Sequence, residues 1–544
     1  MDAAAAAPSR SSEPAGAPSP LAGAQIVVGL DVGTTATKAV AVDLGSAWQH
    51  VAQRGYPLLQ PEPGHAVQDP RAVLAAVDGA LAETVAAVHR AGATVLAVSV
   101  STAMHGLVAL DEDGAPLTRL LTWADSRSAE QARGLRASGE AVALHRSSGT
   151  PVHPMSPMTK LLWFSAEDPA LLRRARWWAG LKDLVLHHLT GRVVTELSSA
   201  SASGLLDLSS RAWDPAVLDL VGVSAEQLPP VLPTTEVLGM APAAAGRLGL
   251  RTGLPVVAGA GDGPLANLGS GAVAPGVAGL SLGTSGAVRA VVAEPHVDEG
   301  GRLFCYALTE DAWVVGGAVS NGGVVTKWAV DTFGRPPGAP GGGAGGTTGG
   351  RGVAGGTGEE EDSAEERVMD LAATAPPGCD GLVMLPYLLA ERAPLWDPDL
   401  PGAYLGLRRE HGPAHMVRAA VEGVAVQLAA VTREVDRVQP LHEVRATGGA
   451  FRSSLWLDVV AAALDRPLVV AAEAEGTAHG AVALALLALG RAEDLAGAVD
   501  LLDDHAPPVR PVQPDPALVA AHREVAARLP GLVTALRPVA DLLG

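Results

Sequence analysis

The sequence predicts an α/β protein made of two similar domains that face each other across a cleft. Three observations carry that expectation. From Ile26 onward, short apolar runs ending in glycine turns alternate with longer amphipathic stretches, the pattern of strands and helices in an α/β fold. Residues 26–43, IVVGLDVGTTATKAVAVD, form an apolar run, a Gly-Thr-Thr turn and a second alternating run, hence a β-hairpin. The same device returns at residues 277–292, with Gly283, Thr284 and Ser285 at its tip, so the chain starts over.

The first hairpin tip carries Asp31, Thr34, Thr35 and Lys38. Gly33 lets backbone N–H groups approach an anion, to which the hydroxyls and the ammonium can donate. Asp31 would repel that anion, so its place is beside a cation or a water. A metal-bound nucleotide phosphate matches this set. Taken alone, the stretch is matched equally well by an ordinary polar hairpin.

A length of 544 residues is enough for roughly two to four domains with real cores. A net charge of −19 argues against a nucleic-acid or anionic-membrane partner, both of which need a basic face. Lysine is scarce, present only at Lys38, Lys160, Lys182 and Lys327. Two cysteines, Cys305 and Cys379, are too few for a disulfide framework and suit a reducing cytosol. The N-terminus lacks the basic and apolar regions of a signal peptide, and the apolar run at 481–489 is far short of a membrane span. A cytoplasmic protein is expected.

In chain order, residues 1–24 are rich in Ala, Pro and Ser and read as a disordered tail. Residues 95–101 read as a buried strand, and 106–110 lead into the Asp-Glu-Asp-Gly turn at 111–114. Helices are expected around 128–137, 158–164 and 168–176. A strand at 254–258 ends in the turn GAGDG at 259–263, and Pro264 then opens a helix. Residues 337–366 are glycine-rich and then acidic, and read as a flexible surface insertion to which no function is assigned. A buried run at 381–385, a long helix at 415–438, a strand at 443–446 and helices at 453–464 and 479–489 complete the pattern.

Neither a GxxxxGK[ST] loop nor a GxGxxG after a strand is present. Instead, a third glycine turn, Gly448-Gly449-Ala450, would let a base or ribose lie on bare backbone before a helix start. Asp262, at a strand end among glycines, is the candidate general base, and an N-cap role is compatible with the same position. A polar group, Met104, His105, Trp123, Asp125, Arg127, His153 and Lys160, could line a polyol pocket. Singly, each has a structural reading: a turn histidine, a core aromatic, a surface charge.

These motifs, in this order from about Ile26 to Leu489, resemble the FGGY family of carbohydrate kinases, in the actin, Hsp70 and sugar-kinase superfamily. Asp31-Val-Gly-Thr-Thr-Ala-Thr-Lys38 is similar to the first phosphate motif and Ser281-Leu-Gly-Thr-Ser-Gly286 to the second. Thr447-Gly-Gly-Ala450 is similar to the adenosine motif, and Gly259-Ala-Gly-Asp262 to the segment bearing the catalytic aspartate. Pro386-Tyr387 through Glu391-Arg392, Pro394, Asp397 and Gly402 also resemble a family signature. Where the family usually has Trp and Glu, this chain has His65 and Val67.

The resemblance implies two ribonuclease H-like domains, 25–263 for the sugar and 264–544 for ATP. It also implies Mg²⁺ near Asp31 and Asp262, and a small-molecule sugar or sugar-acid substrate. A homodimer is one assembly open to such a chain. The stretches 103–130, 149–163 and 301–323 resemble the gluconokinase branch, whose reaction is ATP-dependent phosphorylation of D-gluconate to 6-phospho-D-gluconate. Lys160, Arg127 or His153 would then neutralise the substrate carboxylate. A xylulokinase or other pentulose kinase is the alternative within the class. A nucleotide-binding regulatory protein with weak turnover is the alternative outside it.

Overall fold

A computed structural model of the chain describes residues 21–333, 358–470, 475–503 and 511–543. The first domain is built on strands β1 (Gln25–Val32), β2 (Ala36–Val42), β3 (Gln49–Gly55), β4 (Thr94–Thr102), β5 (Val237–Gly239) and β6 (Pro255–Gly261). They form one six-stranded sheet in the order β5-β6-β4-β1-β2-β3. Strands β1, β2 and β3 are antiparallel neighbours, while β1, β4 and β6 run parallel. Strand β1 is buried on both faces, as the continuous apolar run Ile26–Leu30 requires, whereas β3 is a mostly exposed edge. Helix α1 (Pro70–Arg90) covers one face with Val73, Val77, Leu81, Val85 and Val88, an apolar stripe at helical spacing, after an Asp69 N-cap and Pro70. Helices α2 (Leu181–Thr190) and α3 (Asp262–Gly269) follow.

The second domain repeats the plan with β7 (Val277–Leu282), β8 (Gly286–Val292), β9 (Phe304–Ala307), β10 (Trp313–Val319), β11 (Glu443–Thr447) and β12 (Leu468–Val470). Its sheet order is β9-β10-β8-β7-β11-β12. Again three antiparallel neighbours, β10, β8 and β7, continue into the parallel strands β11 and β12. Hairpin β7–β8 thus occupies the place in its sheet that β1–β2 occupies in the first. Helices α4 (Gly323–Phe333), α5 (Pro413–Val438), α6 (Gly476–Ala488) and α7 (Pro516–Leu543) belong to this half of the chain. Helices α1 and α5 are long and apolar enough to cross a membrane, but their apolar residues are packed into the two cores.

Helix α6 joins the halves. A Cβ on Gly480 would stand 1.9 Å from Leu265 O of α3, and one on Gly29 would stand 2.2 Å from Ala478 O. Glycine therefore lets α6 lie directly on α3 and on β1, and the cleft opens from this crossing.

Several boundaries differ from the sequence reading. Leu21 is buried and Gly23 N–H donates to Gly92 O (3.1 Å), so the packed chain begins before residue 25; residues 1–20 lie outside the described residues. The expected turn at 259–263 is strand through Gly261, and Asp262 opens the helix with Pro264 in its third position. A domain boundary at 263/264 would divide that helix. Of the expected flexible insertion at 337–366, residues 337–357 lie outside the described residues, and the acidic part begins the helix Gly358–Ala373. Helix α7 was not expected, because Pro530 and Pro538 break the helical pattern that the rest of the segment carries.

Candidate active site

The parallel register brings the two singled-out aspartates to one edge. Asp31 pairs with Ser101 and Val32 with Thr102, while Ala260 pairs with Ser101 and Gly261 with Thr102. Asp31 and Asp262 therefore emerge on either side of the end of β4. Ser101 Oγ donates to Asp31 Oδ1 (3.1 Å), and Gly263 N–H donates to Asp262 Oδ1 (2.8 Å), so Asp262 also steadies the helix start. Burial and then the charge of Asp262 raise the Asp31 carboxyl to about 7. Burial likewise raises Asp262, against the pull of Arg289 and Arg392.

Two cavities meet at Asp262. One, of about 260 Å³, is lined by Thr34, Met104, His105, Trp123 and Asp262 from the first domain and by Ser285, Arg289, Tyr306, Arg392 and Trp396 from the second. The other, of about 250 Å³, is lined by Asp262, Ser281, Gly283, Arg289, Thr447, Gly448 and Thr477. Gly448 has φ +118°, and a Cβ there would stand 2.1 Å from Leu282 O, so only glycine lets β11 leave the sheet so close to the hairpin. Asp262, Gly263, Ser281 and Arg289 form the shared wall.

In the hairpins, Gly33 N–H donates to Ala36 O (2.9 Å) and Gly283 N–H to Ser285 O (2.9 Å), so these two amides close the turns. Thr34 Oγ1 accepts from Trp123 Nε1 (2.9 Å), and Thr35 is exposed with its carbonyl accepting from Tyr56 N–H. Thr284 accepts at its carbonyl from Val324 N–H (3.1 Å), seating the second tip on the start of α4. Lys38 pairs with Glu475 across the cleft at 3.0 Å. Gly449 and Ala450 lie in the short turn Gly449–Arg452 beyond Gly448.

The expected polyol group divides. Met104, His105 and Trp123 line the larger cavity. His105 Nδ1 lies 2.9 Å from Ala202 O, which can only accept, so that nitrogen carries the proton and Nε2 is left as an acceptor. Burial and Lys160 hold the His105 ring neutral, with a pKa near 3. Asp125 and Arg127, by contrast, neutralise each other through two 2.8 Å bonds, and Asp125 Oδ2 also accepts from Ala66 N–H (2.9 Å). This pair ties two loops of the first domain and lines neither cavity.

Lys160 is fully buried and donates to His105 O (2.7 Å) and Thr122 O (2.8 Å). Burial lowers it to about 7. Its ammonium props the cavity wall from behind. His153 Nδ1 accepts from Met155 N–H (3.2 Å) while its ring meets Trp396 edge-on at 5.9 Å, again behind the wall. Arg127, Lys160 and His153, the three expected partners for a substrate carboxylate, thus line neither cavity. Lys160→Met should lower stability by about 2 kcal/mol, because two buried carbonyls lose their donor. Urea unfolding checks this, and an unchanged midpoint with a raised KM would place Lys160 on the substrate instead.

The sequence reading missed the cations that do face the cavity. Arg289 sits on β8 two residues from Ala287, on the same face by strand alternation, and both line the cavity. Its Nη1 donates to Ser281 Oγ (3.2 Å), and its buried Nε has no hydrogen-bond partner among the described residues. Burial pulls the guanidinium down to about 10, although Asp262 opposes the shift. Arg392 donates to Ser320 Oγ (3.0 Å) and Val319 O (3.1 Å) and stacks 4.9 Å over Trp123. A single arginine inside an otherwise apolar strand was the available signal for Arg289; Arg392 lay within a quoted motif.

Comparison with known proteins matches this architecture along most of the chain. The model of the FGGY carbohydrate-kinase N-terminal domain matches residues 26–269, and that of the C-terminal domain matches 278–489. The chain belongs to the FGGY family of carbohydrate kinases. It is a phosphotransferase with the two-domain fold of the actin, Hsp70 and sugar-kinase group. The two family domains meet between α3 and β7. A gluconokinase of Bacillus licheniformis is 35% identical over 497 residues, covering 88% of this chain and 91% of the relative. A gluconate kinase structure from Lactobacillus acidophilus superposes with TM-score 0.85 at 30% identity, covering 96% of this chain and 100% of that one. A ligand-bound xylulose kinase structure from the same organism has the same TM-score, identity and coverage. A small sugar-type substrate follows from the family; which one is a matter of the pocket.

Proposed function

We propose that this FGGY kinase transfers the γ-phosphoryl group of ATP to the terminal hydroxyl of D-gluconate, forming 6-phospho-D-gluconate and ADP. The observation that carries the reading is the meeting of two inter-domain cavities at Asp262. The smaller would take the nucleotide, with Gly448 and Thr447 under the nucleoside and Ser281 and Gly283 at the phosphates. The larger would take the sugar acid. Asp262 would accept the hydroxyl proton as the oxygen–phosphorus bond forms and the bond to the ADP oxygen breaks. A carboxyl raised by burial is better matched to that task near neutral pH than an exposed one. His105 Nε2 would accept from a sugar hydroxyl, and Trp123 would offer a flat apolar wall.

Among the described residues there is no cluster of three or more metal-ligating side chains. Two adjacent carboxylates, Asp31 and Asp262, would suit a Mg²⁺, since that ion usually keeps waters and takes one or two protein carboxylates. When bound it would spread the charge on the phosphates. Lys38, paired with Glu475, would serve cleft closure more than phosphate binding.

Gluconate is favoured because the larger cavity presents two guanidinium groups, and Arg289 retains an unpartnered N–H for an anion. The similarity to the gluconokinase relative supports the same choice. Xylulose is the second reading, supported by the equal superposition on the xylulose kinase structure; a nucleotide-driven regulatory role would leave the base at Asp262 without a task. A cytoplasmic setting fits two free, buried cysteines. ADP release measured with gluconate, xylulose, ribulose and glycerol decides: robust turnover is expected with gluconate. Turnover with xylulose alone would reject the substrate assignment.

A further inference from the structure

Strand β6 is irregular just before Asp262. It pairs with β4 as Val256↔Val98 and Val257↔Ser99, then resumes as Ala260↔Ser101 and Gly261↔Thr102. Two residues of β6, Ala258 and Gly259, therefore oppose the single residue Val100, which is a β-bulge. Gly259 has φ +78°, and a Cβ there would stand 1.8 Å from Val100 O, so glycine is required for the strand to turn at this point. A bulge leaves carbonyls outside the ladder, and buried carbonyls need donors.

Lys182, the second residue of α2, supplies them. Its Nζ donates to Ala258 O (3.0 Å), Ala260 O (3.0 Å) and Val100 O, using all three ammonium protons on the bulge. The side chain is 1% exposed, and its counter-ion is the equally buried Glu196 at 3.9 Å. Glu196 in turn accepts from Ser198 N–H and Ser199 N–H at the start of the helix Leu197–Ser201, and Ser198 Oγ accepts from Gly261 N–H (3.2 Å). The peptide group between Ala260 and Gly261 is thus held from both sides, its carbonyl by Lys182 and its N–H by Ser198.

We infer that Lys182 is a positioning residue for phosphoryl transfer: by pinning the bulge of β6 it sets the direction in which Asp262 enters the cleft. This rests on the reading of Asp262 as the base. Lys182 lines neither of the two cavities that meet at Asp262, so its effect on turnover needs no contact with a substrate.

The test is steady-state kinetics and ADP binding for Lys182→Met, Lys182→Gln and Ser198→Ala, with urea unfolding to establish that each is folded. Folded Lys182→Met should lose about 10²-fold in kcat, the cost of a small misplacement of a reacting group, with sugar KM and ADP Kd within about threefold of the parent. Lys182→Gln, which restores two donors, should recover part of that kcat. Ser198→Ala should lose about tenfold in kcat with the same unchanged KM, and it carries the test alone where Lys182→Met does not fold. Parental kcat in folded Lys182→Met or in Ser198→Ala, or a loss confined to KM, overturns the inference. Should Asp262→Asn be inactive while Lys182→Met is fully active, only the positioning role falls. Retained turnover in Asp262→Asn would instead remove the base itself.

Discussion

Asp262→Asn should lower kcat by about 10³-fold, the scale on which a positioned base acts, while ADP binding stays within a few fold of the parent. The substitution keeps the volume of the side chain, and its amide oxygen can still accept from Gly263 N–H, so the start of α3 and the wall between the cavities remain. What is lost is the ability to take a proton. Removing the buried carboxylate also relieves Asp31, which should lower its pKa from about 7, since the charge of Asp262 is one of the causes raising it. Single-turnover kinetics alongside calorimetric ADP titration separates the two effects. Turnover near the parental rate would mean that the hydroxyl loses its proton by another route.

Arg289→Met should raise the KM for gluconate by roughly 30- to 100-fold, the equivalent of one charge-assisted hydrogen bond of about 2–3 kcal/mol. A neutral sugar that the enzyme accepts should be affected much less. Methionine keeps most of the aliphatic stem, so the packing against Gly263, whose added Cβ would stand 3.3 Å from Arg289 Nε, should survive. Arg289 also borders the nucleotide cavity. If kcat falls equally for gluconate and for a neutral sugar, the guanidinium serves the transferring phosphoryl group and Arg392 becomes the candidate for the carboxylate.

Much of the architecture could be read from residue order because it rests on local rules. An apolar run, a glycine turn and a returning run make a hairpin wherever they occur, so β1–β2 and β7–β8 were found with nearly their observed ends. Their likeness predicted a repeated domain, and the two sheet orders bear it out. Helix α7 escaped because propensity argues against two internal prolines, and packing on the neighbouring helices overrides it.

The charged residues were a different matter. Asp125-Ser-Arg127 and Lys160 look the same in sequence whether they face a ligand or the protein, and the structure gives them protein partners. Arg289 showed no motif beyond being a cation in an apolar strand.

By itself the sequence determined a two-domain α/β scaffold, the two glycine-turn hairpins and the strand end that carries Asp262. These follow from hydrophobic period and turn chemistry, which act over a few residues. Only the tertiary structure decided which cations reach the cavity and how Lys182 holds the bulge before Asp262. The reason is physical: a buried charge takes whichever partner the fold brings within hydrogen-bond reach, and that partner can be many residues away, as Lys182 and Ala260 are.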